Sequence, residues 1–210
     1  MRDENHPDEM RRRLLRGLVA APIVLAAPAL FRSPSRGLAE AASLVPTPAC
    51  GDDDDDDPTP SQTEGPYFRR RSPERGSLLE PGLAGTRLVV AGTVLTRSCR
   101  PVTRALLDFW QADDAGRYDN AGYGLRGHQF TDDRGRFRLE TIVPGLYPGR
   151  TRHIHVKVQA PDRPVLTTQL YFAGEPRNSR DRIFHRELVM RGTDDVQRGE
   201  AAFDFVLDMP

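Results

Sequence analysis

Residues 151–160 read TRHIHVKVQA, and the alternation of side chains in this stretch indicates the class of fold. In a β-strand, residues two apart project from the same face, with Cα atoms roughly 7 Å apart. Ile154 and the two valines that follow it at this spacing therefore share one apolar face, while His153 and His155 share the other. The pattern predicts a strand that packs one face into a core and carries two imidazoles on its opposite side.

Similar β-rich runs recur on both sides of this stretch and are separated by turns of glycine, proline and aspartate. No long apolar face with helical spacing competes with them, apart from a turn or two near residues 182–190. The other predicted strands are residues 87–97, 105–112, 136–143, 164–172 and 201–207. Strands at this spacing predict an all-β fold, an antiparallel β-sandwich with long connecting loops and little helix.

Composition limits the size and the partners of the protein. A chain of 210 residues suits one domain, and its 30 basic and 30 acidic residues cancel, so no overall field favours nucleic acid. Lys157 is the only lysine. Because arginine is the default cation of this chain, a single arginine is weak evidence of function.

The N-terminal residues predict an exported protein. Residues 11–16, RRRLLR, form a twin-arginine pattern before the apolar stretch 17–30, which is too short to span a bilayer comfortably. Small residues at 37–39 offer a cleavage site. We therefore expect residues 1–39 to be a twin-arginine-type signal peptide that directs a protein without a membrane span to the periplasm or the exterior. A basic leader on a cytosolic protein is the alternative.

Residues 40–60 predict a linker, and residues 61–210 are then the domain. The linker contains several prolines and the aspartate run 52–57, a composition typical of an extended, solvated segment. The chain has two cysteines, Cys50 and Cys99. In an oxidising compartment they can form a disulfide between linker and domain, and two independent thiols are the alternative.

The paired histidines suit a single metal ion, although such pairs also occur on surfaces and in packing. Carboxylates are plentiful in the chain, so a site of two histidines and one carboxylate stays open. Two tyrosines, Tyr118 and Tyr147, lie in turn-rich segments close to predicted strand ends. Considered alone, each tyrosine is best interpreted as an aromatic residue in a turn that covers the edge of the core.

A series of short motifs follows in order along the domain. They are TEGPYF at 63–68, LDFWQA at 107–112, GRY at 116–118, FTD at 130–132 with Gly135, TIVPGLYP at 141–148, Arg150, HIH at 153–155 and TQLYF at 168–172. In this order they resemble the intradiol ring-cleavage dioxygenases, the family of the catechol and protocatechuate dioxygenases. The resemblance covers about half of the chain.

Position by position, the resemblance implies that Tyr118, Tyr147, His153 and His155 hold one ferric ion per chain. Two phenolates are hard anionic donors that stabilise the ferric state, and two neutral imidazoles leave the ion a Lewis acid. The resemblance further implies that Tyr147 is the axial ligand that the substrate displaces and that then acts as its base, while Tyr118 stays bound.

Residues for catalysis and for the substrate are implied in the same way. Arg150 matches an arginine that stabilises negative charge on the ring-derived intermediate, and Gln169 matches a glutamine near the substrate and dioxygen. Gly65, Pro66 and Tyr67 match the loop that lines the substrate side. The reaction implied is the cleavage of a small aromatic diol by O2, between its two hydroxyl-bearing carbons, to a muconate-type dicarboxylic acid.

Two other functions remain open at this level. The chain could be a non-catalytic β-sandwich binding module, because a fold does not determine its function. It could also be a zinc or copper hydrolase that uses the two histidines with a carboxylate. Association into a homo-oligomer is left open as well.

Overall fold

The computed structural model describes residues 57–210, which fold into two β-sheets. The predicted signal peptide and most of the predicted linker lie outside the described residues. Cys99 is disulfide-bonded. Its predicted partner, Cys50, lies outside the described residues, so their pairing stays a prediction.

The described residues contain short strands and very little helix. The strands are β1 Arg87–Thr96, β2 Leu106–Trp110, β3 Arg126–Phe130, β4 Arg136–Ile142, β5 His153–Gln159, β6 Leu166–Tyr171, β7 Glu200–Ala202 and β8 Phe205–Leu207. One sheet has the order β4-β1-β7, with β8 also pairing with β1, and the other has the order β3-β2-β5-β6. Between residues 57 and 210, helix is confined to the 3-10 segments Asn178–Arg180, Arg186–Leu188 and Val196–Arg198, and none of it is long and apolar enough to cross a membrane.

The predicted β-sandwich is confirmed, with two differences in detail. Strand β3 was not predicted, because its buried positions hold Arg126 and Gly127 instead of a run of apolar residues. The predicted strand 201–207 is two short strands, β7 and β8, and both pair with β1 in parallel. The long connection after β6 explains this orientation, since a parallel pair needs a crossover and cannot close through a tight hairpin.

Strand β5 is buried on both of its faces. Ile154, Val156 and Val158 are fully buried in the core that the two sheets share. On the other face, His153 and His155 retain only 4% and 3% of their exposure. The two histidines of the polar face are therefore covered almost as thoroughly as the apolar face, while Lys157 and Gln159 farther along the strand are half-buried.

The segment before β1 covers the outer face of the second sheet. The amide of Gln62 donates to the Thr167 carbonyl at 2.7 Å, and the Lys157 ammonium lies 4.1 Å from the ring centre of Phe68. Lys157 also forms an ion pair with Glu64. These contacts hold the predicted pocket loop, residues 65–67, over the histidine face of β5.

The last residues of the predicted linker already belong to the folded unit. The amide of Thr59 donates to the Val206 carbonyl at 2.9 Å, and the Pro60 carbonyl accepts a hydrogen bond from the Thr168 hydroxyl at 2.7 Å. The folded domain therefore includes Thr59 and Pro60, two residues of the predicted linker.

We expect the substitution Ile154→Ala to lower the free energy of unfolding by about 2–5 kcal/mol, because it leaves a cavity between the two sheets. Urea unfolding of the purified protein measures this loss. The control is Val165→Ala at a site that is 47% exposed, which should change the stability by less than about 0.5 kcal/mol. Equal losses in the two variants would contradict the packing described for β5.

Candidate metal centre

Three donor atoms converge beside the first residues of β5. The Tyr118 hydroxyl lies 3.2 Å from Nε2 of His153, and that nitrogen lies 3.2 Å from Nε2 of His155. Metal–nitrogen bonds of roughly 2 Å place neighbouring ligand atoms roughly 3 Å apart. The spacing of the three atoms therefore fits one shared metal ion.

His153 is held in the tautomer that a metal ligand requires. Its Nδ1 donates to the Thr151 carbonyl at 2.7 Å, which leaves the lone pair on Nε2 directed toward the other two donors. Burial lowers the pKa of His153 to about 4. The ring is therefore neutral at neutral pH.

His155 is fixed mainly by its ring contacts. Trp110, its partner in the β2–β5 register, stacks on it with ring centres 4.8 Å apart and an angle of 7° between the planes. Burial, followed by the neighbouring His153, lowers the pKa of His155 well below its ordinary value. Gly65 faces the ring at a φ of +68°, and a Cβ there would lie 3.5 Å from the His155 Cε1 atom. That distance is an ordinary contact, so it is the positive φ, which other residues rarely adopt, that favours glycine in the pocket loop here.

Tyr118 lies between two turns, each organised by an aspartate. The Asp113 carboxylate accepts the amide of Arg117 at 2.9 Å, and the Asp119 carboxylate accepts the amide of Gly122 at 2.8 Å. The ring of Tyr67 stacks on that of Tyr118 with centres 4.4 Å apart. Burial raises the pKa of Tyr118 above its ordinary value, so its hydroxyl is protonated at neutral pH when no cation is bound.

Tyr147 borders the three donors and is brought there by two loops in close contact. A Cβ on Gly116 would lie 2.3 Å from the Leu146 carbonyl oxygen, and one on Gly145 would lie 2.3 Å from that of Asp114, so only glycine fits at these positions. The Tyr147 and Tyr118 rings meet edge to face, 5.8 Å apart.

The Tyr147 hydroxyl forms a hydrogen bond of 2.8 Å with the Tyr67 hydroxyl. This bond is the main cause that raises the pKa of Tyr67 above its ordinary value. The structure therefore places Tyr147 against Tyr118, which supplies one of the three converging atoms, while the Tyr147 hydroxyl is bonded to Tyr67. Pro66, also predicted in the pocket loop, is exposed.

Arg150 and Gln169 join the same cluster. Arg150 donates from Nη2 to the Gln169 Oε1 at 2.6 Å, and Gln169 donates from Nε2 to the Thr63 carbonyl at 2.9 Å. Gln169 is fully buried and pairs with His155 across β5 and β6. The neighbouring Arg152 lies in a different contact, an ion pair of 3.2 Å with Glu175.

Carboxylates do not complete the histidine pair. Within residues 57–210, no group of three or more His, Cys, Asp or Glu side chains is arranged to hold a metal ion. The alternative site of two histidines and one carboxylate therefore has no support in this part of the chain. The additional donor atom that contacts the histidines is the Tyr118 phenol oxygen.

Residues 63–209 match the model of a protein family, Dioxygenase_C, whose description is dioxygenase. This match spans the converging side chains and both sheets. The chain belongs to the intradiol ring-cleavage dioxygenase family. The motifs that suggested this family from the sequence lie within the matched region.

Several members of this dioxygenase family are similar to the chain in sequence, and one solved structure is similar in both sequence and fold. The dioxygenase domain of a dioxygenase carbohydrate-binding protein fusion from Streptomyces sp. SirexAA-E is 58% identical, with a TM-score of 0.69, over 73% of this chain and 100% of that one. Protocatechuate 3,4-dioxygenase beta chain from Burkholderia cepacia is 36% identical over 59% of this chain and 58% of its own length. Hydroxyquinol 1,2-dioxygenase from Nocardioides simplex is 30% identical over 66% and 55%. The chain thus matches a little over half the length of these last two relatives.

Sequence reasoning missed Arg126, a residue that supports the candidate metal centre. Arg126 is 1% exposed and donates to the Tyr67 carbonyl at 2.6 Å and to the Asp119 carbonyl at 2.9 Å. It therefore ties the pocket loop to the turn that follows Tyr118. In an arginine-rich chain no local signal distinguishes it, and the strand that carries it was not predicted.

We expect the metal-free protein to lose stability as the pH falls from 6.5 to about 4. Unfolded His153 takes up a proton at its ordinary pKa of 6.5, whereas folded His153 does so only at about 4. The unfolded state therefore binds more protons in this window, and the free energy of unfolding decreases.

Urea unfolding of iron-depleted protein between about pH 7 and 5 measures this dependence. The variant His153→Asn should show a shallower decrease, because it lacks one of the two buried imidazoles. A pH dependence identical to that of the unaltered protein would contradict the assignment.

Proposed function

We propose that this chain is a ferric-iron dioxygenase that cleaves a catechol-type ring with O2 between the two hydroxyl-bearing carbons, yielding a muconate-type dicarboxylic acid. The observation that carries this proposal is the convergence of the Tyr118 oxygen with Nε2 of His153 and of His155, at steps of 3.2 Å. Membership of the dioxygenase family supports the same activity, as do the names of the protocatechuate and hydroxyquinol dioxygenase relatives.

We assign Tyr118, Tyr147, His153 and His155 as the ligands of one ferric ion. Bound there, the ion would supply a Lewis acid that chelates both substrate oxygens and accepts electron density from the ring. The chain provides two neutral imidazoles and two phenols. Because burial raises the pKa of Tyr118, loading with iron must release its proton, and iron affinity is expected to increase with pH.

Tyr147 and Tyr67 are suited to handle the substrate protons. As a phenolate, Tyr147 could accept a proton from a catechol hydroxyl. Its partner Tyr67 lies 2.8 Å away and has a raised pKa, so Tyr67 stays protonated and can donate to the Tyr147 oxygen. The pocket loop that carries Tyr67 also covers His155 and limits the access of water.

Arg150 and Gln169 provide charge and orientation at the histidine side of the site. The guanidinium of Arg150 bonds to Gln169, which lies across from His155 in the sheet. A fixed positive charge at this place stabilises negative charge that develops on the ring-derived intermediate. Gln169 uses both ends of its amide within the protein, so it also links Arg150 to the pocket loop through the Thr63 carbonyl.

The decisive test is the visible absorption spectrum of iron-loaded protein, before and after anaerobic addition of a panel of catechols. Charge transfer from tyrosinate to ferric iron should make the protein wine-red, and the band should shift when a catechol binds. Admission of O2 should then convert the catechol to the dicarboxylic acid. A colourless protein that retains no iron would favour the binding module, and zinc or copper without ring cleavage would favour the hydrolase.

We expect Tyr118→Phe and Tyr147→Phe to weaken the charge-transfer band and to lower kcat by more than about a hundredfold, since each removes a ligand. The matched control is Tyr123→Phe. The Tyr123 hydroxyl donates to the Arg70 carbonyl, away from the converging atoms, so this variant should keep its iron and colour. If colour and iron content were unchanged in both ligand variants, the tyrosine assignment would be wrong.

We also propose that the protein is exported by a twin-arginine route to the periplasm or the exterior. The pattern of residues 11–39 supports this, and so does the disulfide at Cys99, a bond that persists mainly in oxidising compartments. Replacing Arg11, Arg12 and Arg13 together with lysine should leave an uncleaved precursor inside the cell. Arg2→Lys is the control, and retention of the unaltered protein inside the cell at full length would reject export.

A further inference from the structure

Asp181 is a buried carboxylate directly behind Arg150. Its Oδ2 atom accepts hydrogen bonds from the Arg150 Nε at 2.8 Å and from the Thr151 amide at 2.8 Å. Its Oδ1 atom accepts one from the Ile183 amide at 3.1 Å. The Asp181 side chain is 2% exposed, and that of Arg150 is 18% exposed. The pair is therefore largely shielded from water.

The carboxylate remains ionised in this setting. Burial by itself raises the pKa of Asp181, but the Thr151 and Ile183 amides and the Arg150 guanidinium together hold that pKa below its ordinary value. A buried carboxylate that accepts several hydrogen bonds can be stabilised in its charged form. Asp181 is thus a fixed anion that faces one edge of the Arg150 guanidinium.

The ion pair determines where the rest of that guanidinium lies. With Nε directed at Asp181, the Nη2 atom is directed at the Gln169 Oε1, 2.6 Å away, and lies 3.4 Å from the Tyr171 hydroxyl. The guanidinium is planar and rigid, so a bond at one edge sets the direction of the others. Arg150 therefore faces the strand pair that carries His155.

Arg150 has room to take another position. A cavity of about 480 Å³ borders both Arg150 and Asp181 on the outside, and its lining includes Leu146, Pro148, Gly149 and the exposed side chains of Arg177 and Arg180. A long arginine side chain that is free to move gains rotamer entropy by turning into such a space. The bond to Asp181 opposes that movement.

We propose that Asp181 is a positioning residue, which holds the Arg150 guanidinium against Gln169 and so keeps its charge at the proposed ferric centre. This inference rests on the proposed function, in which Arg150 stabilises negative charge on the intermediate. Asp181 does not touch the substrate. It also accepts the Thr151 amide, and the double variant described below separates that contact from the effect transmitted through Arg150. The loss of Asp181 should lower kcat more than it changes KM, because charge stabilisation in the transition state is affected.

The chain offers a matched control in the neighbouring ion pair. Arg152 pairs with Glu175 at 3.2 Å, and these side chains are 24% and 11% exposed. Arg152 bonds to the Pro144 carbonyl and makes no contact with Gln169 in the described structure. Glu175→Gln therefore removes a comparable buried charge in the same region without releasing Arg150.

Steady-state kinetics of iron-loaded Asp181→Asn, Glu175→Gln, Arg150→Gln and the double variant Asp181→Asn/Arg150→Gln test the proposal. Asp181→Asn should lower kcat roughly ten- to a hundredfold, while iron content and the charge-transfer band stay unchanged. Glu175→Gln should retain kcat within about twofold. In the Arg150→Gln background, Asp181→Asn should cause no further loss, because the residue it positions is absent. An equal loss in both backgrounds, or a loss of iron, would overturn the proposal.

A second readout uses iron-free protein and does not depend on activity. Exposed arginines lose their Nε–H signals in ¹H–¹⁵N spectra by exchange with water, whereas a buried, hydrogen-bonded Nε–H is retained. We expect a retained signal that disappears in Arg150→Gln and in Asp181→Asn but persists in Glu175→Gln. Persistence in Asp181→Asn would show that Asp181 does not hold Arg150. If the unaltered protein cleaved no catechol, the proposed function would fail. This spectrum would still decide whether Asp181 holds the Arg150 guanidinium in place.

Discussion

The burial of two neutral imidazoles on β5 is the constraint on which the site depends. A strand with both faces covered has no water to solvate a protonated histidine, so burial lowers the pKa of His153 to about 4 and also lowers that of His155. The two Nε2 atoms lie 3.2 Å apart with the Tyr118 hydroxyl beside them. Their spacing, shielded from water, suits the single metal ion proposed for this site, and the apolar face of β5 packed in the core holds them in place.

The side chains around this strand come from separate loops that rigid contacts bring together. Tyr118 and Tyr147 meet because Gly116 and Gly145 allow two backbones to touch. The pocket loop is fastened by Arg126, which binds the Tyr67 carbonyl. Loops supported in this way by a sheet can carry precise chemistry, while the sheet itself supplies stability.

The positive charge of Arg150 at the site is balanced by the carboxylate of Asp181 behind it. Arg150 places a positive charge close to the histidines, and after burial it is a further cause that lowers the pKa of His153. Asp181 faces the far side of that guanidinium. Without this carboxylate, burial of the Arg150 charge would destabilise the folded protein. Without Gln169, the Nη2 edge of the guanidinium would lose the hydrogen bond that orients it. The same ion pair therefore stabilises the buried charge of Arg150 and orients its guanidinium toward Gln169.

The sequence by itself predicted the sandwich and the histidine pair, and its resemblance to the dioxygenase family pointed to most of the other residues that gather at the histidine face. Alternation at residues 151–160 placed Ile154 in the core and His153 and His155 together opposite it, because side-chain direction along a strand depends only on neighbouring residues. Tertiary structure alone decided the parallel pairing of β7 and β8 with β1, the Tyr147–Tyr67 hydrogen bond, and the choice of Asp181 as the partner of Arg150. These contacts join segments far apart in the chain, and neither periodicity nor composition contains the distance between two such segments until the sheets have packed.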